Sequence, residues 1–414
     1  MVEAVFYGLI HFAPLWLGPL LVLILWEQWT SYSRFKTFAG ENFVLLEIKL
    51  PRELTKSPAA MEIILTSMYQ PGAATFLEKH LLGKIKTWFS LELVSTGGQV
   101  RFFIWTPDKY QRTIESQIYA QYPTVEIFEA PDYTADVTYD PAEMIGWGTY
   151  FKLSEADVYP IKTYIDYGLD KDPKEEFKID PLTAVLEYLG SMKSGEHAWI
   201  QILIQAHTKT RREPGRWFWA KRVDWKNEAR KEIEKIRKEA TPERTGSEFP
   251  GFPNPTKGQV EKIAALERSI NKFAFETMIR GFYLASQASF HTTGITGLIG
   301  SMRQYSSRDL NGFSLGWFTD LRDWSKDLRR ILGWIPGVDA LFGRRVEHYK
   351  RQMLEAYKLR SFFQPPYKNF HLTPFILNTE ELATIFHFPG QAAATPSLAK
   401  IESKRGEPPV NLPM

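Results

Sequence analysis

The most constraining feature of the 414-residue sequence is an order of strands and helices that occurs twice. In the first occurrence, a strand and a helix precede a hairpin of two strands, and a second helix and a final strand follow. These segments are Phe43–Leu50, Pro58–Tyr69, Phe89–Val94, Val100–Trp105, Asp108–Gln121 and Thr124–Phe128. Apolar residues such as Met61 and Leu65 have helical spacing, and Gly97-Gly98 is typical of a hairpin turn. The order predicts a ferredoxin-like βαββαβ unit over residues 41–132.

The second occurrence covers residues 145–318 and contains a long insertion. Its segments are Thr149–Leu153, Pro181–Met192, Ala198–Ala206, Phe273–Ala285, Thr292–Met302 and Phe313–Leu315. The insertion, residues 208–271, has a narrow apolar stripe on one charged helix, formed by Trp225, Ala229, Ile233, Ile236 and Ala240. A second helix, Lys257–Ile270, follows a Pro/Gly-rich turn. Two helices with single apolar seams predict an antiparallel helical hairpin that projects from the sheet.

The C-terminal part of the chain lacks a third copy of this pattern. Residues 319–389 are predicted to be mainly helical, with a short strand at Pro374–Leu377 and a helix at Thr379–Phe386. Residues 390–414 are rich in Ala, Pro and Ser, so we expect an extended tail or linker. The predicted fold class is therefore α+β.

An apolar segment at the N-terminus predicts a membrane anchor. Val5–Trp26 is 22 residues long without a formal charge, enough to cross ~30 Å of hydrocarbon. A signal peptide fits poorly because no basic region precedes the segment, and a buried core helix is the other alternative. Arg34 and Lys36 follow it, so the positive-inside rule places the bulk of the chain in the cytoplasm. We expect residues 1–36 to anchor a single-pass protein of the inner (cytoplasmic) membrane.

The net charge of +3 hides an asymmetry between the two halves of the chain. Residues 1–207 carry 17 basic and 26 acidic side chains, whereas residues 208–414 carry 34 and 22. The excess is concentrated in the insertion, where cations alternate with aromatic residues: Arg211, Arg212, Arg216, Trp217, Trp219, Lys221 and Arg222. This mixture is typical of contacts with DNA phosphates and bases. Contact with anionic lipid, or aromatic anchoring of the hairpin to the sheet, remains open.

Motifs for catalysis are missing from the sequence. There is no cysteine, no G-x-x-x-x-G-K-[ST] phosphate loop and no G-x-S-x-G elbow. None of the eight histidines forms an H-E-x-x-H or H-x-x-x-H pair. We therefore predict no catalytic residues, no metal site and no cofactor, and a protein that is not an enzyme.

The segment Phe375–Gly390 (FILNTEELATIFHFPG) resembles a pattern found just before the motor domain of conjugation-type, HerA-like ATPases of type IV secretion systems. That pattern combines a strand, a helix with an E-L-A core and an apolar-His-apolar-Pro turn. Arg405–Pro413 looks like the linker that leads into the motor. Leu46–Pro51 and Ile118–Pro123 are similar to membrane-anchored proteins encoded with such systems in small-genome uncultivated bacteria.

The resemblance implies the anchor and non-catalytic N-terminal region of such an ATPase. The nucleotide-binding motifs of the family lie beyond this linker, so either the chain is truncated before its motor domain or the motor is a separate polypeptide. We expect a membrane-anchored, non-enzymatic subunit of a DNA or protein transport machine. Its expected partners are a phosphate-loop ATPase encoded separately or downstream, the membrane and DNA, within an oligomeric assembly. The alternative is an independent, membrane-tethered nucleic-acid-binding protein.

Overall fold

A computed structural model describes residues 13–51, 54, 56–72, 75, 77–78, 81–170, 179–208, 211–212, 222–241, 254–319, 338–390 and 400–401. The helices are α1 (Ala13–Ala39), α2 (Ala59–Ser67), α3 (Gln111–Gln121), α4 (Leu182–Gly190), α5 (Trp225–Glu239), α6 (Lys257–Ile270), α7 (Thr292–Ser301), α8 (Val338–Lys358) and α9 (Thr379–Ile385). The strands are β1 (Phe43–Pro51), β2 (Phe89–Thr96), β3 (Gln99–Pro107), β4 (Glu126–Glu129), β5 (Met144–Leu153), β6 (Glu196–Ala206), β7 (Arg211–Arg212), β8 (Arg222–Val223), β9 (Ala274–Ser286), β10 (Phe313–Phe318), β11 (Phe375–Asn378) and β12 (Lys400–Ile401).

Two sets of four antiparallel strands each have the strand order of a ferredoxin-like unit. In the first set the order across the sheet is β4, β1, β3, β2. In the second set it is β10, β5, β9, β6, with α4 after its first strand and α7 after its third. The α+β class predicted from the sequence is confirmed.

The two sets form one continuous sheet rather than two separate ones. Strand β2 pairs antiparallel with β6 over eight residue pairs, from Phe89 opposite Ile204 to Thr96 opposite His197. Strand β11 adds to one end of β9, and β12 pairs in parallel with the end of β1. The last strands of two half-sheets therefore satisfy each other's backbone hydrogen bonds, which removes two exposed edges.

Both faces of the sheet are buried under apolar side chains. Neighbouring residues point to opposite faces, so Leu46 joins the core under α2, α3, α4, α7 and α9, whereas Leu45 joins the core under α8. On the α8 side, Met353 and Tyr357 pack against Trp199 and Phe282. The result is a sheet between two helical layers, with α8 in the second layer.

A buried ion-pair network fixes the α8 side to the sheet. The Arg360 guanidinium lies 3.0 Å from the Glu92 carboxylate and also contacts Asp132. Glu92 in addition accepts hydrogen bonds from Gln201 Nε2, at 2.7 Å, and from the Tyr133 hydroxyl, at 2.8 Å. Burial of both charges is tolerated because each is paired and further hydrogen-bonded.

The predicted membrane anchor is not supported. None of the helices in the described part of the chain is both long and apolar enough to span a bilayer. Within the described residues, α1 continues past Trp26 through the charged residues Glu27, Arg34 and Lys36. This finding overturns the transmembrane helix of the predicted fold and the localisation as a single-pass inner-membrane protein with its bulk in the cytoplasm. Residues 1–12 lie outside the described residues.

The C-terminal half of α1 belongs to the first unit. The Phe38 ring lies 5.4 Å from the Trp88 ring and 5.6 Å from the Phe43 ring. The Ser33 and Thr37 hydroxyls donate to the carbonyl oxygens of Leu81 and Leu82. Polar residues after Trp26 therefore hold the helix against the sheet, which a count of apolar residues does not reveal.

The insertion contains two packed helices, α5 and α6. The apolar stripe of α5 is buried along its length, and Ala229, Ile233 and Ile236 form a small core with Leu266 of α6 and with Val158. A capping box at Thr256 and Gln259 begins α6. The Arg237–Glu267 ion pair, at 2.7 Å, joins the exposed sides of the two helices.

Candidate functional site

A cavity of about 290 Å³ lies where the insertion meets the sheet. Strand β6 ends beside it, β9 begins beside it, and α5 starts at its rim. Its lining residues are Tyr69, His207, Thr208, Asp224, Trp225, Lys226, Lys272, Phe273 and Ala274. The cavity is therefore a product of chain topology, since its walls come from four separate segments of the sequence.

Backbone hydrogen bonds fix the wall formed by β6 and β9. The His207 amide donates to the Ala274 carbonyl at 2.8 Å, which extends the β6–β9 ladder by one residue. The Tyr69 hydroxyl donates to the His207 carbonyl at 2.9 Å, and so ties the end of α2 to the same point. Lys86 donates to the Thr208 hydroxyl at 2.8 Å. These bonds connect the three segments that form the cavity floor.

Aromatic rings cover a large part of the cavity wall. The rings of Tyr69 and Phe273 lie 4.6 Å apart at an angle of 35°, and Tyr69 also meets the edge of Phe275. Phe273 is 48% exposed although it directly precedes a buried strand. Trp225, by contrast, is buried at the start of α5. An exposed ring held by a second ring offers a flat apolar surface beside polar groups.

The cavity also carries cations with different partners. Lys272 Nζ lies 2.5 Å from Glu62 and 3.5 Å from the buried Glu380, so its charge is largely compensated. Lys226 Nζ lies 6.0 Å from the centre of the Trp225 ring and is half-buried. Lys226 is therefore the lining cation best placed to face a ligand.

Two further polar groups line the cavity. His207 Nδ1 is 3.5 Å from a Glu276 carboxylate oxygen, but it makes no hydrogen bond to the residues that the structure describes. Asp224 is the N-cap of α5, yet its side chain does not cap the helix. Burial raises the pKa of the Tyr69 hydroxyl, and the Asp224 charge raises it further. The Asp224 carboxylate thus remains able to bond a ligand.

A short two-stranded ribbon, β7 with β8, extends from the rim of this cavity; we call it the basic ribbon. Arg211 pairs with Val223, and Arg212 pairs with Arg222. Val223 directly precedes Asp224, and Arg211 is the third residue after Thr208, so the basic ribbon starts within about 10 Å of the cavity. Three arginines are thereby placed on one small element next to the cavity.

The basic ribbon brings together three of the seven residues predicted from the sequence: Arg211, Arg212 and Arg222. Arg216, Trp217, Trp219 and Lys221 lie outside the described residues. Sequence reasoning missed Tyr69, His207 and Phe273, which lie far apart in the chain. The sequence predicted Phe273 as the first residue of a strand, Phe273–Ala285, and only the order of strands in the sheet places it beside Tyr69.

The segment that resembles secretion ATPases is part of the core. Its strand β11 pairs with β9, and all residues from Leu377 to Pro389 are buried. The His387 ring bridges the Ala383 carbonyl, at 2.9 Å, and the Asp180 carboxylate, at 3.0 Å. The Arg268 Nε of α6 donates a hydrogen bond to the Glu380 carboxylate at 3.1 Å, so this segment also holds the insertion in place.

Among the described residues, no group of three or more His, Asp or Glu side chains is arranged to hold a metal ion. A family model with the description "Domain of unknown function (DUF8128)" matches residues 34–400, from the C-terminal half of α1 to β12. Comparison with curated proteins gives no match. The matched range includes both ferredoxin-like strand sets, the basic ribbon and the cavity.

Proposed function

The chain belongs to the DUF8128 family, and from its basic ribbon we propose that it is a DNA-contacting accessory subunit of a transport machine of the type IV secretion or conjugation type. The observation that carries this proposal is the pairing of β7 with β8, which sets Arg212 opposite Arg222. Like charges directly across a strand pair are destabilising, and bound anions would offset this repulsion. A phosphate backbone supplies such anions at regular spacing.

The helix that follows the basic ribbon extends the positive surface. Helix α5 carries six basic and four acidic side chains, and Arg230, Lys231 and Lys238 are exposed. Its buried stripe faces α6, so the charged side is turned away from the core. Basic side chains on both the basic ribbon and α5 suit a polyanion longer than one phosphate.

The proposed place in a transport machine draws on the segment Phe375–Gly390. Its resemblance to the region before HerA-like motors suggests a phosphate-loop ATPase as the partner, with this chain as an oligomeric, non-catalytic subunit beside the motor. In that arrangement the chain would hold DNA, and the ATPase would move it. Purification of the tagged chain together with its neighbouring gene products tests this part, and failure to recover any ATPase would contradict it.

DNA binding itself is tested by a triple substitution of the basic ribbon, Arg211→Ala/Arg212→Ala/Arg222→Ala. We expect the parent chain to bind a fluorescein-labelled 20-base-pair duplex in 50 mM salt, and the variant to bind at least about tenfold more weakly, because three phosphate contacts are lost. Fluorescence anisotropy gives both affinities.

The matched control is Arg112→Ala/Lys152→Ala/Lys193→Ala, which removes the same charge from exposed positions outside the insertion. The control should retain most of the affinity. An equal loss in both variants would contradict a specific role for the basic ribbon. Binding to anionic phospholipid vesicles, but not to DNA, that depends on the three arginines would assign the basic ribbon to lipid and overturn the proposal.

A further inference from the structure

The cavity below the basic ribbon has the size of a ligand site. At about 290 Å³, it is close to the lower end of the roughly 300–1,000 Å³ that sites for small ligands occupy. Its walls are held by hydrogen bonds between β6, β9 and α2, so it exists without a ligand. A site of this size accommodates one small planar group with its charged substituent.

The aromatic wall selects a planar ligand. Phe273 is about half exposed, and the Tyr69 ring lies behind it at 4.6 Å. Bases stack on such exposed rings without regard to sequence, since every base has a π-face. An aliphatic ligand would gain nothing from the orientation of these rings.

The polar groups of the cavity match the edge and the phosphate of a nucleotide. The Asp224 side chain, free of a capping bond, can accept a hydrogen bond from an exocyclic amine of a base. His207 also lines the cavity, with its Nδ1 buried 3.5 Å from a Glu276 carboxylate oxygen. Lys226 and the first amides of α5 supply positive charge for a phosphate.

The basic ribbon lies close enough to the cavity for one DNA strand to contact both. Both strands of the ribbon leave the cavity rim within about 10 Å, at Thr208 and Asp224. A strand whose phosphates lie along the arginines therefore reaches the cavity with its next nucleotide. Paired bases inside a duplex cannot enter, because their planar faces are covered by neighbouring base pairs.

We propose that the cavity binds one unpaired nucleotide of a DNA strand, so that the chain prefers DNA with a single-stranded end over uninterrupted duplex. This inference rests on the proposed DNA contact and adds the form of DNA that is recognised. It assigns Phe273 and Tyr69 to stacking, Lys226 to phosphate contact, and Asp224 to the base edge.

The test compares a blunt 20-base-pair duplex with the same duplex carrying a five-nucleotide 3′ overhang. We expect the parent chain to bind the overhang DNA roughly tenfold more tightly. Phe273→Ala should reduce this ratio to about one while the affinity for blunt duplex stays unchanged. Because Phe273 contributes its backbone carbonyl to the Thr379 amide, the substitution preserves that hydrogen bond, and an unchanged Tm confirms folding.

The control is Phe128→Ala, which removes an equally exposed ring that lies next to a lysine but on β4, in the first strand set. It should keep the overhang preference. Equal affinity of the parent chain for both DNAs would overturn the inference while the basic ribbon still binds duplex. No binding to either DNA would instead contradict the proposed function. Binding of dAMP alone that Phe273→Ala abolishes, without any overhang preference, would assign the cavity to free nucleotides and also overturn the inference.

Discussion

Glu381 is a carboxyl group buried inside α9 and bonded only through its acceptor atoms. One carboxylate oxygen accepts the Ile161 amide and the other accepts the Asn378 amide, both at 2.9 Å. Burial raises the pKa of Glu381 to about 8 from an ordinary value of 4.5, against the effect of these two amides; Glu380 and Asp157 raise it further. The side chain is therefore protonated in the folded protein at pH 7.

Glu381 makes the stability of the fold depend on pH. Between pH 4.5 and 8 the unfolded chain has released this proton and the folded chain has kept it, so the free energy of unfolding falls as pH rises through this range. The fall from this group amounts to a few kcal/mol at most, since each unit of pKa difference is about 1.4 kcal/mol. Above pH 8 the contribution is constant.

Urea unfolding at pH values from 5 to 9 measures this dependence. Glu381→Gln should flatten the curve, whereas Glu129→Gln on the exposed side of β4 should leave it unchanged. A variant at position 381 with the same slope as the parent chain would show that this carboxyl group does not titrate as described.

At the scale of residues, clusters of charge along the sequence were predictable, whereas contacts between residues far apart in the sequence were not. Arg211, Arg212 and Arg222 follow from composition alone, since a cluster of cations is visible in the sequence. Tyr69 and Phe273 become neighbours only because β9 is inserted between β5 and β6. No periodicity in the sequence carries that information.

At the scale of elements, α9 shows what a local signal predicts. Asn378 caps the helix by accepting the Glu380 and Glu381 amides, and this capping box is legible in the sequence. The predicted strand and helix at Pro374–Leu377 and Thr379–Phe386 match β11 and α9 within one or two residues. The addition of β11 to β9 was not predictable, since edge pairing depends on which backbone groups the rest of the sheet leaves unsatisfied.

Because α9 is buried, truncating one of its apolar side chains should strongly lower the free energy of unfolding. Leu382 is fully buried against the core below the sheet, so Leu382→Ala should lower the free energy of unfolding by about 2–5 kcal/mol. Leu359→Ala, at an exposed position, should cost less than about 1 kcal/mol. Urea midpoints at an unchanged m value give both numbers. Similar losses for the two variants would contradict the assignment of α9 to the core.

The error at α1 arises from the same limit of local patterns. An uncharged run of 22 residues predicts a spanning helix by length and hydropathy alone. The described helix continues into a polar part, in which Thr30 is buried and Phe38 packs against Trp88. Which side of a helix packs on a sheet depends on tertiary contacts, whereas length and hydropathy describe only the average polarity of the segment.

At the scale of the whole molecule, the two strand sets share one sheet and both of its cores. The eight residue pairs between β2 and β6 lie at its centre, and α8 covers the face opposite the other helices. Sequence patterns predicted two βαββαβ units but did not predict that the two units share one sheet. Because both units have the same alternation of apolar and polar residues, either edge strand of each unit could pair with the other unit.

Fusion of the sheet predicts that the described core unfolds in a single transition. Far-UV circular dichroism and tryptophan fluorescence should give coincident urea curves, since neither half keeps its edge strand paired when the other unfolds. Leu93→Pro, which removes a hydrogen-bond donor at the β2–β6 junction, should shift both curves together. Two resolved transitions would show that the halves are independent.

Salt dependence tests the DNA contact of the basic ribbon most directly. For the parent chain and the Arg211→Ala/Arg212→Ala/Arg222→Ala variant, the affinity for the overhang duplex is measured from 50 to 200 mM NaCl. The slope of log K against log salt should be shallower in the variant by about 2 to 3, because each lost phosphate contact removes about 0.9. Equal slopes for the two proteins would mean that these arginines do not contact phosphates and would contradict DNA binding by the basic ribbon.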